Sequence, residues 1–193
     1  MKSIVVLISG SGTNLQKVID TSHNKKLKIN LVVSNRKKAY GLERAKDNNI
    51  PTLYFPFIKK KQDRIDYDKE LGEKILKLVP DVNYIFCLGW MHILSEKFIN
   101  MFEKNTIINL HPALPGQFPG KNAIEQAFKS FQFNNKIKTG VMVHYVIPEV
   151  DAGEVIEKII IPIYKFDTLE DLKYRVTSVE KVVLMRAIDR LFK

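Results

Sequence analysis

The sequence predicts an α/β protein: a mostly parallel twisted sheet with helices on both faces and antiparallel strands joining late. Three observations predict it. Short β-branched runs alternate with segments of helical period through the first two-thirds of the chain, the pattern of strand–helix–strand units linked by right-handed crossovers. The first run, Ile4-Val5-Val6-Leu7-Ile8, enters a glycine loop, Gly10-Ser11-Gly12-Thr13-Asn14, and then a helical pattern. A later run, Thr106-Ile107-Ile108, delivers Asn109 and His111 into the segment Pro112–Gly120, which holds three prolines and two glycines. Such a segment is neither helix nor central strand.

In order, Lys2 to Ser9 reads as a buried strand and Leu15, Val18 and Ile19 as the inner face of the first helix. Thr13 with Gln16 has the spacing of a capping box. Lys28 to Ser34 is a second strand, Gly41 to Asn48 a short helix, Pro51 to Phe55 a short strand, and Phe57 to Gln62 a basic loop. Asp63 caps a helix from Arg64 to Leu78, whose apolar positions Ile65, Leu71, Ile75 and Leu78 roughly follow helical spacing. Pro80 and Asp81 end it. Val82 to Leu88 is a fourth strand and Ser95 to Met101 a helix. Lys121 to Phe131 is helical, Lys138 to Val146 alternates as a strand does, and Glu154 to Ile163 is a further strand. Glu170 to Phe192 is an amphipathic closing helix with Thr168 and Asp171 as its cap. The sum is a single-domain, Rossmann-like α/β architecture over residues 1–193, with an N-terminal half (1–105) and a C-terminal half (106–193).

A chain of 193 residues with 45% apolar content supports one full core. No apolar run approaches the ~20 residues that span a bilayer, and the N-terminal run reads as a strand rather than a signal peptide. The single cysteine, Cys87, excludes an internal disulfide and fits a cytoplasmic setting. The net charge of +10 admits anionic partners. Its lysines are dispersed, without an aromatic-interleaved stripe, which argues against nucleic acid. Lys59 to Lys61 reads as a solvated loop, with contact to an anionic tail as the alternative. His23 reads as surface and His144, in Val-His-Tyr-Val, as a core or supporting histidine.

Asn109 and His111 lie two apart, so on a strand their side chains share one face. Ligands of open α/β sheets bind beyond the carboxyl ends of the strands, where this pair stands. The glycine loop opens a helix, and free N–H groups with the helix dipole make such a place an anion site; an ordinary tight turn is the alternative. It is not the dinucleotide fingerprint, because Leu15 stands where the third glycine belongs. After the second strand, Asn35-Arg36-Lys37-Lys38 offers no acid for a ribose diol. Trp90 and Met91 read as core or as an apolar pocket wall. No cluster has zinc-ligand spacing.

With Ser9-Gly10-Ser11-Gly12-Thr13-Asn14, Gly89-Trp90-Met91-His92-Ile93-Leu94, Asn109-x-His111-Pro112 and Asp151-x-Gly153 in view, the chain resembles the folate-dependent phosphoribosylglycinamide formyltransferases over nearly its whole length. The resemblance implies formyl transfer from 10-formyltetrahydrofolate, as co-substrate, to the amino group of glycinamide ribonucleotide in purine synthesis, with no metal. Its partners are then small molecules rather than nucleic acid or membrane, and it acts as a monomer or homodimer. Residue by residue, Asn109, His111 and Asp151 match the family's catalytic trio. Gly12, Thr13 and Asn14 match its substrate-phosphate loop, and Glu180 an acid that contacts the ribonucleotide. Arg64, Met91, His92, Ile93, Leu94, Asn109, Ile147, Pro148, Glu149, Val150 and Asp151 match folate-binding positions. Two departures stand out: Pro115 arrives one position early, in His-Pro-Ala-Leu-Pro-Gly, and His92 replaces a common arginine. The implied chemistry suits the residues. Asn109 and an imidazolium His111, its pKa raised by Asp151, would stabilise the oxyanion, and His111 would protonate the departing nitrogen. The rivals are a deformylating hydrolase or methionyl-tRNA formyltransferase, both of which usually carry a further domain, an NADP oxidoreductase using Arg36, and a non-enzymatic binding module.

Overall fold

Ile4 to Ile8 have no exposed surface, and strand β1 (Lys2–Ile8) is therefore covered on both faces, as a central parallel strand requires. The computed structural model describes residues 1–22, 26–58, 63–134 and 136–192. His23 and the Lys59 to Lys61 run lie outside them. β1 pairs in parallel with β2 (Leu27–Ser34) and β4 (Tyr84–Cys87), and β2 with β3 (Thr52–Tyr54). With β5 (Ile107–His111), β6 (Lys138–Tyr145) and β7 (Val155–Pro162) the sheet has seven strands in the order β3-β2-β1-β4-β5-β6-β7. β6 and β7 are antiparallel. A mostly parallel sheet with a late antiparallel pair is the predicted fold class.

The chain falls into two compact units, residues 1–108 with Phe192, and residues 109–191. The first holds helices α1 (Thr13–Ser22), α2 (Tyr40–Asp47), α3 (Arg64–Leu78) and α4 (Glu96–Ile99). The second holds α5 (Ala123–Asn134) and α6 (Leu169–Leu191). Two caps form as their sequences predict. The Asp63 carboxylate accepts the Ile65 N–H at 2.7 Å. At the start of α6, Thr168 and Asp171 exchange bonds: the Thr168 N–H donates to Asp171 at 2.9 Å and the Asp171 N–H to the Thr168 hydroxyl at 3.2 Å.

Other details differ. The Thr13–Gln16 capping box gives way to a different arrangement: Thr13 is already helical, and the Gln16 side chain donates to Asp20 at 2.8 Å and accepts from Arg44 at 3.2 Å. On α3, Ile65 and Leu78 are exposed, while Tyr67, Asp68, Leu71 and Ile75 are buried. Burial there follows partners rather than apolarity, because Asp68 is paired across the unit. α4 is shorter than predicted, and Ser95 caps it by accepting the Phe98 N–H at 3.4 Å. β5 runs on through Asn109 to His111, so both polar residues belong to the strand itself.

Burial pushes the Cys87 thiol in β4 up to about 12. A thiolate is the reactive species, so Cys87 is expected to resist a thiol reagent near neutral pH in the folded protein and to react once denatured. Rapid labelling of the native chain would contradict this burial.

Candidate active site

Two polar side chains of the second unit converge on the carboxylate of a third. Asn109 and His111 leave β5 on the same face. Asp151 comes from the loop between β6 and β7. The Asn109 amide Nδ2 donates to Asp151 Oδ1 at 3.1 Å, and His111 Nδ1 lies 3.4 Å from Asp151 Oδ2. His144, on β6, adds a fourth group: its Nε2 is 3.4 Å from Asp151 Oδ1 and 3.3 Å from Asn109 Nδ2. The sequence reading of His144 as a supporting residue fits this position. His111 and His144 are buried, and the Asp151 side chain keeps 10% of its surface exposed.

Local backbone sets the geometry. The proline–glycine segment folds back so that the Phe118 carbonyl meets His111 Nε2 at 3.0 Å and the Gly120 N–H donates to Asp151 Oδ2 at 2.8 Å. A carbonyl only accepts, so His111 carries its proton on Nε2. By the same argument His144 Nδ1–H donates to the Tyr145 carbonyl at 2.9 Å. Asp151 has φ 54°, a left-handed conformation that aspartate tolerates better than most residues. The Asp-x-Gly spacing then has a steric cause. A Cβ on Gly153 would fall on the Tyr145 carbonyl, the group that fixes His144.

Burial lowers the His111 pKa from its ordinary 6.5, and the Asp151 charge offsets this only in part. Asp151 raises the pKa as expected, but the net shift is downward, which corrects the expectation of a resting imidazolium. Desolvation outweighs one partner's attraction. At Asp151 burial pushes upward, but His144 and the Gly120 N–H outweigh it and hold the carboxyl below 3.8. The unfolded chain binds a proton at His111 more readily than the folded one. Stability therefore falls as pH drops below 6.5, until the folded pKa is passed. Asp151 contributes stability above 3.8 that is lost as pH falls through its lower folded pKa. Between about pH 7 and about pH 5.5, wild-type stability is expected to fall more steeply than that of His111→Gln in denaturant titrations; equal slopes would contradict the assignment.

The first unit carries the predicted phosphate-loop residues and part of the predicted folate set. Gly12 has φ 70°, Thr13 is exposed and Asn14 is half-buried at the start of α1. Arg64 is heavily engaged. It pairs with the fully buried Asp68 at 2.8 Å, donates to the Ile93 carbonyl at 2.8 Å, bonds His92 Nδ1, and lies over the Phe57 and Tyr67 rings. Asp68 also accepts the Ser95 N–H at 2.8 Å, and the Ser9 hydroxyl accepts the Met91 N–H at 2.9 Å. The Met91 to Leu94 segment is thus pinned along its backbone, with the Met91 and Ile93 side chains exposed and Leu94 and Trp90 buried.

Glu180 is half-buried near the middle of α6, and Ile147, Pro148, Glu149 and Val150 are exposed in the loop that ends at Asp151. Sequence reasoning missed Asp68, Phe118 and Gly120 as partners. The crowded prolines and glycines before α5 were the signal for the last two. Asp68 had none, because an acid in a helix reads as solvated. Among the described residues no group of three His, Cys, Asp or Glu could hold a metal ion, and no helix is long and apolar enough to cross a membrane.

The formyl transferase family model matches residues 2–188. The phosphoribosylglycinamide formyltransferase of Schizosaccharomyces pombe is 46% identical, covering 98% of this chain and 96% of its own length. That of Dictyostelium discoideum is 48% identical, covering 98% and 97%. The crystal structure of glycinamide ribonucleotide transformylase 1 from Symbiobacterium toebii superposes with a TM-score of 0.88 at 34% identity, covering 100% of this chain and 87% of that one. The chain belongs to the formyl transferase family of enzymes and, within it, to the phosphoribosylglycinamide formyltransferases.

Proposed function

We propose that this chain transfers a formyl group from 10-formyltetrahydrofolate to the amino group of 5-phosphoribosylglycinamide in de novo purine synthesis. The observation that carries this reading is the joining of an amide, an imidazole and a carboxylate at 3.1–3.4 Å in the second unit of a formyl transferase.

Attack of the amine on the formyl carbon gives a tetrahedral centre with a developing oxyanion. Asp151 Oδ1 and His144 Nε2 are 3.4 Å apart on one side of the Asn109 nitrogen. One N–H serves that side, and the second is left to donate to the oxyanion. Such a donor contributes ~3 kcal/mol to a transition state of this kind. The His111 Nε2–H, exchanged from the Phe118 carbonyl to the reacting atoms, is the second donor. The amine loses its proton through water beside Asp151 to His111 Nδ1, and His111 passes the Nε2 proton to the departing folate nitrogen. The imidazolium formed between these two transfers faces the Asp151 carboxylate, which stabilises it. No metal is needed for these steps.

Gly12, Thr13 and Asn14 hold the substrate phosphate and Glu180 the ribonucleotide. Arg64, Met91, His92, Ile93, Leu94, Asn109 and the loop Ile147 to Asp151 take the folate. On this division of labour residues 1–105 supply the phosphate loop and the folate positions Arg64 and Met91 to Leu94, and residues 106–193 supply the chemistry and the remaining folate positions. A spectrophotometric assay of a formyl-folate donor with and without glycinamide ribonucleotide tests the reading. Donor loss that requires the acceptor is expected. Loss at the same rate without it identifies a deformylating hydrolase, and no loss in either arm identifies a binding module.

A further inference from the structure

α2 packs against the glycine loop through three contacts of different kinds. The Gly41 N–H donates to the Gly10 carbonyl at 3.1 Å. Arg44 Nε donates to the Ser11 carbonyl at 2.9 Å, and its Nη1 donates to Gln16 Oε1 at 3.2 Å. Gly12 lies so close to α2 that a Cβ on it would come within 2.6 Å of the Gly41 Cα. The Arg44 guanidinium also lies 4.8 Å above the Tyr40 ring, which limits its rotamers.

These contacts dictate where the loop's donors point. In a trans peptide the C=O and the following N–H point in opposite directions, and the chain has no cis peptide among its described residues. With the Gly10 and Ser11 carbonyls both drawn toward α2, the N–H groups of Ser11 and Gly12 both turn away from it. Two successive N–H groups on one side, at the start of a helix, form a concave donor site for an anion. The loop's shape as an anion cradle therefore depends on a neighbouring helix, and Arg44 is the side chain among these contacts that bonds a loop carbonyl.

We propose that Arg44 is a positioning residue for the glycine loop: through the Ser11 carbonyl it holds the backbone N–H groups in the orientation that receives the phosphate of the acceptor substrate. The proposal rests on the reading of this loop as the phosphate site. Arg44 acts through the Ser11–Gly12 peptide and not by its own charge.

Replacement by glutamine separates the two. The glutamine Nε2 occupies the same place along the side chain as the arginine Nε, so Arg44→Gln keeps a donor for the Ser11 carbonyl and removes the charge. Arg44→Ala removes both. The experiment measures kcat and KM for acceptor and formyl donor in wild type, Arg44→Ala, Arg44→Gln, Thr13→Ala and Asn14→Ala. Arg44→Ala is expected to raise the acceptor KM about tenfold, the order of one charge-assisted hydrogen bond, with kcat and donor KM near wild type. Arg44→Gln is expected to restore most of the loss. An Arg44→Gln as impaired as Arg44→Ala would mean direct charge contact and overturn the proposal. A raised acceptor KM in Thr13→Ala or Asn14→Ala with none in Arg44→Ala would overturn it while leaving the phosphate reading intact. If no variant moves the acceptor KM, the phosphate reading falls and the proposal with it.

Discussion

Asn109→Ala, His111→Ala and Asp151→Ala are each expected to cut turnover by about 10²- to 10⁴-fold, the range for losing an oxyanion donor or an acid–base group. His111→Ala removes the proton carrier and one donor together and is placed at the upper end. Asn109→Ala removes one donor and is placed at the lower end. Asp151→Ala has a wider reach, because its carboxylate receives the Asn109 amide at 3.1 Å and the Gly120 N–H at 2.8 Å and faces both histidines. Its loss leaves a buried donor unpaired, at about 1–3 kcal/mol of stability. Steady-state kinetics with circular dichroism as a fold control checks all three. Near-normal rates in folded variants would refute the assigned roles.

Gly153→Ala is expected to damage stability and turnover together, although residue 153 carries no chemistry. The new Cβ would collide with the Tyr145 carbonyl, a backbone group that cannot rotate away. That carbonyl accepts from His144 Nδ1 at 2.9 Å, and the Tyr145 N–H donates to the Glu154 carbonyl at 2.9 Å. Forcing the two segments apart moves both His144 and the turn that carries Asp151. Overpacking against backbone costs about 3 kcal/mol, or a Tm lower by about 10 °C. A displacement near 1 Å at a reacting group costs about 10²-fold in rate. Thermal unfolding and kinetics of the variant give both readings, and a wild-type Tm with wild-type turnover would show that the contact is not tight.

The sequence made the strands legible because burial on both faces demands unbroken apolar runs, as in Ile4 to Ile8. It made Asp63 and the Thr168–Asp171 pair legible as caps because capping is local. It misplaced the buried face of α3 for the opposite reason. Asp68 is buried because Arg64 and the Ser95 N–H satisfy it, and no local pattern shows a partner 27 residues away. Gln16 left its capping role for Arg44, a partner 28 residues on. At the candidate site the residue types and the shared face of Asn109 and His111 were readable from spacing. The ionisation of His111 was not, since it follows from how deeply the folded chain buries the ring. Nor were the backbone groups of Phe118 and Gly120, which the proline–glycine segment presents only once folded.

Formyl transfer by His111→Ala, Asp151→Ala and the double variant, compared with wild type under single-turnover conditions, tests most directly whether the carboxylate acts through the imidazole. Coupled action predicts a double variant no slower than the slower single one, because a group that works through another has nothing left to support. Losses that multiply would contradict it and separate Asp151 from His111.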